Sequence, residues 1–188
     1  EPTLSPDLEV FIERARARMS SQGWVGFQSN GLLIDDRRAT KLIAAGLDRV
    51  CLSVDASSAE LFRVLRPGGE FESLSRAISS LRAAKKSTGR AEVQVGIEFV
   101  CMRGNIFELP SVLRWAGDNG ATFAIVTQLL PYDRAVKADV AYDTNTSSAI
   151  AFLQAWQRRA WSAGVDLSRY RQVFMKMKRS DPEEQIVA

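Results

Sequence analysis

Polar side chains share alternate positions in three apolar segments, with a glycine at one of these positions in the last segment. They belong to Gln28 and Asn30, to Ser53 and Asp55, and to Gln94 and Glu98. Amide, hydroxyl and carboxylate groups of this kind bind polar ligands through hydrogen bonds. Inside a protein they need partners, because removing an unpaired amide or carboxylate from water costs free energy. We therefore predict that these residues line a binding site for a polar ligand.

Histidine is absent from the sequence, which excludes Ser-His-Asp triads, histidine general bases and imidazole metal sites from these 188 residues. Two cysteines, Cys51 and Cys101, each lie inside an apolar segment and form no CxxC or other close metal-ligand spacing. We predict that both are buried, reduced thiols of a cytoplasmic protein, and that this chain supplies no metal ligands.

The composition is typical of a globular protein, with 46% hydrophobic and 25% charged residues. No apolar run approaches the ~20 residues of a membrane span. The net charge of +3 is small for this length, and the basic clusters have acidic neighbours. We therefore expect a cytoplasmic protein whose partners include neither a membrane nor a nucleic acid.

Predicted helices and strands alternate along the chain, and glycine follows helix after helix. The predicted helices are residues 5–19, 35–46, 71–89, 106–120 and 144–164, and the predicted strands are residues 24–31, 48–58, 91–104 and 121–133. Residues 132–148 are predicted to form a polar loop. This alternation is typical of a parallel sheet with crossover helices, in a barrel or a doubly wound fold.

The third predicted strand has two different faces. Val93, Val95, Ile97 and Phe99 share one face, while Gln94, Gly96 and Glu98 share the other. The polar face is either a solvated surface or the lumen of a barrel that binds a ligand at the C-terminal ends of its strands. We favour the lumen, because βα connections place helices on the outside of a sheet and leave the other face enclosed.

Several stretches, in order along the predicted elements, resemble one known family. They are EPTL, QSNGLLIDDRRATKLIAAGLDRVCLSVDASS and VCMRGNIFELPSVLRWAGDNGATFAIVTQLLPY, within residues 1–133. Together they are similar to the radical S-adenosylmethionine (radical SAM) enzymes, in the branch with a C-terminal SPASM-type auxiliary iron–sulfur domain. The resemblance implies an α/β fold, a partial (β/α)6 TIM-like barrel truncated here to about four parallel strands.

The resemblance also implies that the chain is a fragment. Residues 1–175 would form the barrel without its first strand, cluster loop and second strand, and residues 176–188 would lead to a missing C-terminal domain. The cofactors would be S-adenosylmethionine and a [4Fe–4S] cluster, whose CxxxCxxC ligands would lie upstream of Glu1. The partners would be the missing remainder of the chain, a ferredoxin- or flavodoxin-type electron donor, and a substrate that is a small molecule, a cofactor or a peptide.

Two motifs of the family match the start of the chain and the first predicted strand. Glu1 and Pro2 match the end of the Gly-Gly-Glu-Pro motif, whose carboxylate binds the methionine amino group of the cofactor. A carboxylate suits an ammonium, because charge-assisted hydrogen bonds are strong. Gln28 and Asn30, on either side of Ser29, match the Thr-Asn-Gly motif at the end of the next strand.

Further motifs match later strand ends. Ser53 and Asp55 match a Ser-x-Asp motif that contacts the ribose or carboxylate of the cofactor, and Arg66 matches an arginine in the loop that follows. The family has a second basic residue two positions before this arginine. Val64 occupies that position here, and Arg63 lies one residue before it.

The last two predicted strands match regions that hold adenine in the family, at residues 96–98 and 128–131, which include Glu98, Gln128 and Leu129. From the alternation we expect Gln94 and Glu98 to face the lumen and to contact cofactor or substrate.

The resemblance implies an enzyme that cleaves S-adenosylmethionine to a 5′-deoxyadenosyl radical and uses this radical to abstract hydrogen from a substrate. Such an enzyme would mature a metalloenzyme, a cofactor or a peptide. The fragment itself would be inactive. The alternative is a non-catalytic βα-barrel binding module or scaffold. The sequence upstream of Glu1 would distinguish the two. An aldolase-type barrel would need a lysine or histidine at a strand end, and none is present.

Overall fold

Strands and helices alternate through the part of the chain that the computed structural model describes, residues 1–130 with 136, 139 and 140. The strands are β1 (Gly26–Ser29), β2 (Arg49–Ser53), β3 (Gln94–Cys101) and β4 (Phe123–Gln128). The helices are α1 (Leu8–Arg18), α2 (Asp36–Ala44), α3 (Ala59–Leu65), α4 (Phe71–Ser87) and α5 (Leu109–Asp118), with short 3-10 turns at Pro2–Leu4 and Ile106–Glu108. No helix among the described residues is long and apolar enough to span a bilayer.

The four strands form one parallel sheet in which spatial order follows chain order, β1-β2-β3-β4. A doubly wound sheet reverses its strand order at a switch point, whereas the wall of a βα barrel does not. The predicted α/β fold with about four parallel strands is confirmed, and the strand order is that of a barrel wall.

One face of the sheet is covered by helices, and we call it the helix face. Its strand residues Val50, Leu52, Val95, Ile97 and Phe99 are each at most 1% exposed. The same core includes Leu42 and Ile43 of α2, Leu74, Ile78 and Leu81 of α4, and Val112 and Leu113 of α5. Burying one such side chain contributes about 1.5–3 kcal/mol. This face therefore supplies most of the packing that holds the strands in register.

Glycine ends three of the helices as predicted. Gly46, Gly89 and Gly120 follow α2, α4 and α5 with φ angles of 105°, 69° and 87°. These angles lie in the left-handed region, which glycine adopts without the strain that a Cβ atom would cause. After each of these glycines the chain reverses direction, and the next parallel strand begins within a few residues.

Two predictions about elements need correction. Helix α3 was not predicted, because its seven residues are too few to show a clear helical period of apolar residues. Ser58 caps the start of this helix, and its hydroxyl accepts a hydrogen bond from the Leu61 amide at 3.4 Å. Helix α1 begins at Leu8 rather than near Ser5, whose Oγ instead accepts a hydrogen bond from the Asp7 amide. The predicted helix 144–164, most of the loop 132–148 and the connection 176–188 lie outside the described residues.

Candidate functional site

Because the strands are parallel, their C-terminal ends lie along one edge of the sheet, which we call the rim. Asn30, Asp55, Met102 and Leu129 follow the four strands at this edge. The sheet face opposite the helices, which we call the open face, carries Gln28, Arg49, Cys51, Ser53, Gln94, Gly96, Glu98 and Thr127. The predicted inside–outside assignment of β3 agrees with this arrangement, since Gln94, Gly96 and Glu98 lie opposite the buried apolar residues.

The carboxylate of Glu1 is fixed against the end of β1. Its Oε1 accepts hydrogen bonds from the Thr3 amide at 3.1 Å, the Thr3 hydroxyl at 2.6 Å and the Ser29 hydroxyl at 2.8 Å. Its Oε2 accepts one from the Asn30 amide at 2.7 Å. Burial alone would raise the pKa of Glu1, but these hydrogen bonds together hold that pKa below its usual value. Glu1 is therefore an ionised, oriented carboxylate beside Asn30.

Side chains from three strands meet on the open face near the rim. The Gln28 amide of β1 donates hydrogen bonds to the Ser53 hydroxyl of β2, at 3.2 Å, and to the Glu98 carboxylate of β3. The Thr127 hydroxyl of β4 lies 3.5 Å from Glu98 Oε1. Burial, and then the nearby charge of Asp55, raise the pKa of Glu98. The structure thus brings together Gln28, Ser53 and Glu98, all predicted from the sequence.

Asp55 and Arg66 form an ion pair just beyond the end of β2. Asp55 is 3% exposed; its Oδ2 accepts hydrogen bonds from Arg66 Nε at 2.8 Å and from Arg66 Nη2, while Oδ1 accepts one from the Val100 amide at 2.9 Å. Both carboxylate oxygens therefore have protein partners, and the pair orients the partly exposed Arg66 guanidinium. Arg63 and Val64, the neighbouring positions of the motif, are exposed.

Sequence reasoning missed Asn105, which lies behind this ion pair and is fully buried. Its Nδ2 donates hydrogen bonds to the carbonyl oxygens of Asp55 and Val100, each at 2.9 Å. Its Oδ1 accepts a hydrogen bond from the Met102 amide at 2.7 Å. One side chain thereby joins the loop after β2 to the end of β3.

Glu108 was also missed, and it fixes the start of α3. Its Oε2 accepts hydrogen bonds from the Ser57 amide at 2.6 Å, the Ser57 hydroxyl at 2.8 Å and the Ser58 amide at 2.9 Å, and its Oε1 accepts one from the Ser58 hydroxyl at 3.0 Å. Burial alone would raise the pKa of Glu108, but these hydrogen bonds together hold that pKa below its usual value. No local pattern around Glu108 indicates this contact, because Ser57 and Ser58 lie about 50 residues earlier in the chain.

Gln94 lies on the open face as predicted, but the structure does not bring it to the rim. It is the first residue of β3, four residues before Glu98, which is about 13 Å at 3.3 Å per residue. Its Oε1 accepts hydrogen bonds from Arg49 Nε at 3.0 Å and Nη2 at 2.6 Å. Gln94 is exposed, and its hydrogen-bond partner is an arginine of the neighbouring strand.

The remaining predicted residues, Pro2, Gln128 and Leu129, have backbone positions beside the rim. Pro2 begins the short turn after Glu1. Gln128 ends β4 opposite Cys101, and the Leu129 amide donates a hydrogen bond to the Cys101 carbonyl at 3.1 Å. These contacts place the end of β4 beside the end of β3.

Cys51 and Cys101 are buried free thiols, as predicted. Burial, followed by the nearby charges of Glu98 and Asp55 respectively, raises the pKa of each to about 12. Within the described residues, no three histidine, cysteine, aspartate or glutamate side chains are grouped so that they could hold a metal ion.

The sequence profile of the radical SAM superfamily matches residues 1–116. The mycofactocin maturase MftC of Mycobacterium tuberculosis is 34% identical over 134 residues, which are 71% of this chain and 32% of that protein. A probable GTP 3′,8-cyclase of Methanococcus maripaludis is 27% identical over 137 residues, 73% of this chain and 43% of that protein. The chain therefore spans less than half the length of these curated relatives.

Among solved structures, that of TYW1 with a lysine–pyruvate adduct bound resembles the fold, with a TM-score of 0.54 and 17% identity. The alignment covers 84% of this chain and 47% of that one. At this identity the likeness concerns the arrangement of strands and helices alone.

Proposed function

Because the chain belongs to the radical SAM superfamily, we propose that the whole protein uses a reduced [4Fe–4S] cluster to cleave S-adenosylmethionine and abstracts hydrogen from a substrate with the resulting 5′-deoxyadenosyl radical. This chain contributes the wall that binds and orients S-adenosylmethionine. The catalytic chemistry itself belongs to the cofactors, and the protein's part is positioning and the exclusion of side reactions.

The carboxylate of Glu1 is the single observation that carries this proposal. It is ionised, held at the rim by Thr3, Ser29 and Asn30, and its Oε2 accepts only one hydrogen bond from the described residues. An ammonium group offers donors only, so the free acceptor capacity of Oε2 fits the methionine amino group. An orientation fixed beforehand reduces the entropy lost on binding.

The other rim residues fit the rest of the same ligand. Arg66, oriented by Asp55, offers a guanidinium to the cofactor carboxylate, and the Ser53 and Gln28 side chains offer hydrogen bonds to ribose hydroxyls. Glu98 lies next to these groups and serves as a contact to cofactor or substrate. The proposed binding set is Glu1, Pro2, Gln28, Asn30, Ser53, Asp55, Arg66, Glu98, Gln128 and Leu129.

The residues of this chain do not fit the cluster. A thiolate is the form that binds iron, and Cys51 and Cys101 are buried thiols whose pKa is raised to about 12. We propose that the cluster cysteines of the whole protein lie outside these 188 residues, and that residues 176–188 lead towards an auxiliary-cluster domain of the SPASM type.

We propose the substrate class by similarity to a curated relative. MftC is named as a maturase of mycofactocin, and its similarity supports a maturase that acts on a peptide or on a cofactor. The proposed partners are that substrate and a ferredoxin- or flavodoxin-type electron donor, in the cytoplasm.

The test is calorimetric titration of the full-length protein with S-adenosylmethionine under anaerobic conditions. Glu1→Ala should weaken binding about ten- to a hundredfold while the absorbance of the cluster stays unchanged, since one charge-assisted hydrogen bond is typically worth about 1.5–3 kcal/mol. Glu13→Gln, on the exposed side of α1, is the matched control and should bind as the wild type does.

Equal affinity in Glu1→Ala and wild type would refute the role of Glu1. Chromatographic detection of methionine and 5′-deoxyadenosine after reduction then separates an enzyme from a scaffold. A full-length protein that forms no cluster and yields neither product would be the non-catalytic binding module.

A further inference from the structure

At the opposite end of the open face from the rim, the Arg49 guanidinium lies between two aromatic rings. Its Cζ is 4.7 Å from the centroid of the Trp24 ring and 5.1 Å from that of the Phe123 ring. Its Nε and Nη2 both donate hydrogen bonds to Gln94 Oε1. Stacking on two rings and a bond to a fixed amide hold the guanidinium in one orientation.

Two glycines of the sheet leave room for this stack. A Cβ atom on Gly96 would lie 2.4 Å from the Phe123 ring. One on Gly26 would lie 2.6 Å from the Arg49 carbonyl oxygen, 3.0 Å from the Trp24 ring and 3.1 Å from Arg49 Cβ. The rings therefore rest against bare backbone on β1 and β3. Any other residue at Gly96 would displace Phe123 from the arginine.

Arg49 has no carboxylate partner among the residues that the structure describes. The nearby carboxylate of Asp48 is shared by Arg16, at 2.9 Å, and Arg90, at 3.0 Å, and Arg90 also pairs with Glu92. Arg49 is partly buried, and within the described part of the chain its guanidinium donates hydrogen bonds only to a neutral amide. A cation in this position has lost part of its hydration without gaining an opposite charge, so an anion binding beside it would be stabilised.

We propose that Arg49, together with the amide NH2 group of Gln94, binds the carboxylate or phosphate group of a ligand on the open face. The planar guanidinium matches both kinds of oxyanion, and the Gln94 NH2 group adds two donors. Gln94 lies about 13 Å along β3 from Glu98. A ligand held here by its anionic group therefore extends towards the rim with its other end.

Identifying this ligand as the substrate rests on the proposed function, whereas anion binding by Arg49 does not. The site would make the substrate of the proposed enzyme an acidic molecule, anchored at the far end of the lumen from S-adenosylmethionine. Arg49 and Gln94 are then residues that select the substrate and take no part in the chemical step.

The test is a titration of the full-length protein with inorganic phosphate and, separately, with succinate, at constant ionic strength. Proton–nitrogen NMR follows the Arg49 Nε–H signal, assigned by its loss in Arg49→Gln, and the Trp24 indole signal. We expect saturable shifts in the millimolar range. A response to phosphate alone assigns a phosphate-bearing ligand, and a response to succinate alone assigns a carboxylate.

Variants decide whether Arg49 is the cation. In Arg49→Gln the saturable shift of the Trp24 signal should disappear, and Arg49→Lys, which keeps the charge without the planar fork, should bind about tenfold more weakly. Arg63→Gln, on the exposed side of α3, should bind as the wild type does. Shifts that do not saturate, or a Trp24 response that persists in Arg49→Gln, would overturn the proposal.

Calorimetry with S-adenosylmethionine on the same proteins separates this proposal from the preceding one. Arg49→Gln should bind S-adenosylmethionine within about twofold of wild type, because Arg49 is remote from the rim. A wild-type protein that binds phosphate or succinate but not S-adenosylmethionine would refute the proposed function and leave the anion site standing.

Discussion

The helix face and the open face of the same sheet have opposite environments. On β3, Val95, Ile97 and Phe99 are at most 1% exposed, whereas Gln94 is exposed and Glu98 partly exposed. Because successive residues of a strand point to opposite faces, one strand carries core packing on one set of positions and candidate binding groups on the other. Substitutions on the two faces should therefore change different measured quantities.

The largest effect is expected on the helix face. Phe99→Ala removes a fully buried ring and should lower the free energy of unfolding by about 3–5 kcal/mol. Gln94→Ala, on the open face of the same strand, should lower it by about 1 kcal/mol or less, since it removes an exposed hydrogen bond. Urea denaturation of both variants measures the difference, and similar losses would contradict the assignment of the two faces.

At the rim, the polar residue Asn105 is as buried as the apolar residues of the core. Asn105→Ala should lower the free energy of unfolding by about 2–3 kcal/mol, since it leaves the Asp55 and Val100 carbonyls and the Met102 amide without their partner. Asn119→Ala, which removes a bond at the end of α5, is the control and should cost about 1 kcal/mol. Amide hydrogen exchange at residues 55–58 should accelerate only in Asn105→Ala. Equal acceleration in the control would show that Asn105 does not hold the loop after β2 against the end of β3.

A smaller, pH-dependent effect is expected for Glu108. Its pKa is lower in the folded protein than its ordinary value of 4.5, so its ionised form contributes stability at neutral pH that is lost as the pH falls below 4.5. Glu108→Gln should lower the free energy of unfolding by about 1 kcal/mol at neutral pH. The gap between wild type and variant should close on acidification, and a gap that stays constant in thermal unfolding from about pH 7 to pH 3 would show that the charge of Glu108 is not the cause.

The smallest change in stability is expected for Glu98→Gln, on the open face. The pKa of Glu98 is raised, so its ionisation opposes folding, and stability falls as the pH rises through that pKa. The variant should melt at or slightly above the wild-type temperature at neutral pH, with a flatter pH dependence, while turnover of the full-length protein falls. A clear loss of stability together with unchanged turnover would place Glu98 among the structural residues.

The alternation of polar and apolar residues predicted which face of β3 is buried, and strand-end polar residues predicted the cluster of Gln28, Ser53 and Glu98. Position along the strand was harder to predict, because alternation does not show where a strand begins. Gln94 therefore looked equivalent to Glu98 although the two lie at opposite ends of β3.

The contacts of Asn105 and Glu108 join residues about 50 positions apart, at Asp55, Ser57 and Ser58. Short-range patterns of caps and periods contain no information about such pairs. The site around Arg49 could not be predicted for the same reason. Its aromatic neighbours are Trp24, which precedes β1, and Phe123 of β4, and its surroundings include the glycines Gly26 and Gly96.

The raised pKa values of Cys51 and Cys101 have a consequence for chemical labelling. At pH 7 a thiol with a pKa of about 12 is ionised in only about one molecule in a hundred thousand. The thiolate is the nucleophile that attacks an alkylating reagent, so both buried cysteines should remain unmodified in the folded protein and react on denaturation. Iodoacetamide followed by mass spectrometry would then report the folded fraction of a preparation directly from two internal sites, with any other cysteine of the full-length protein labelled separately.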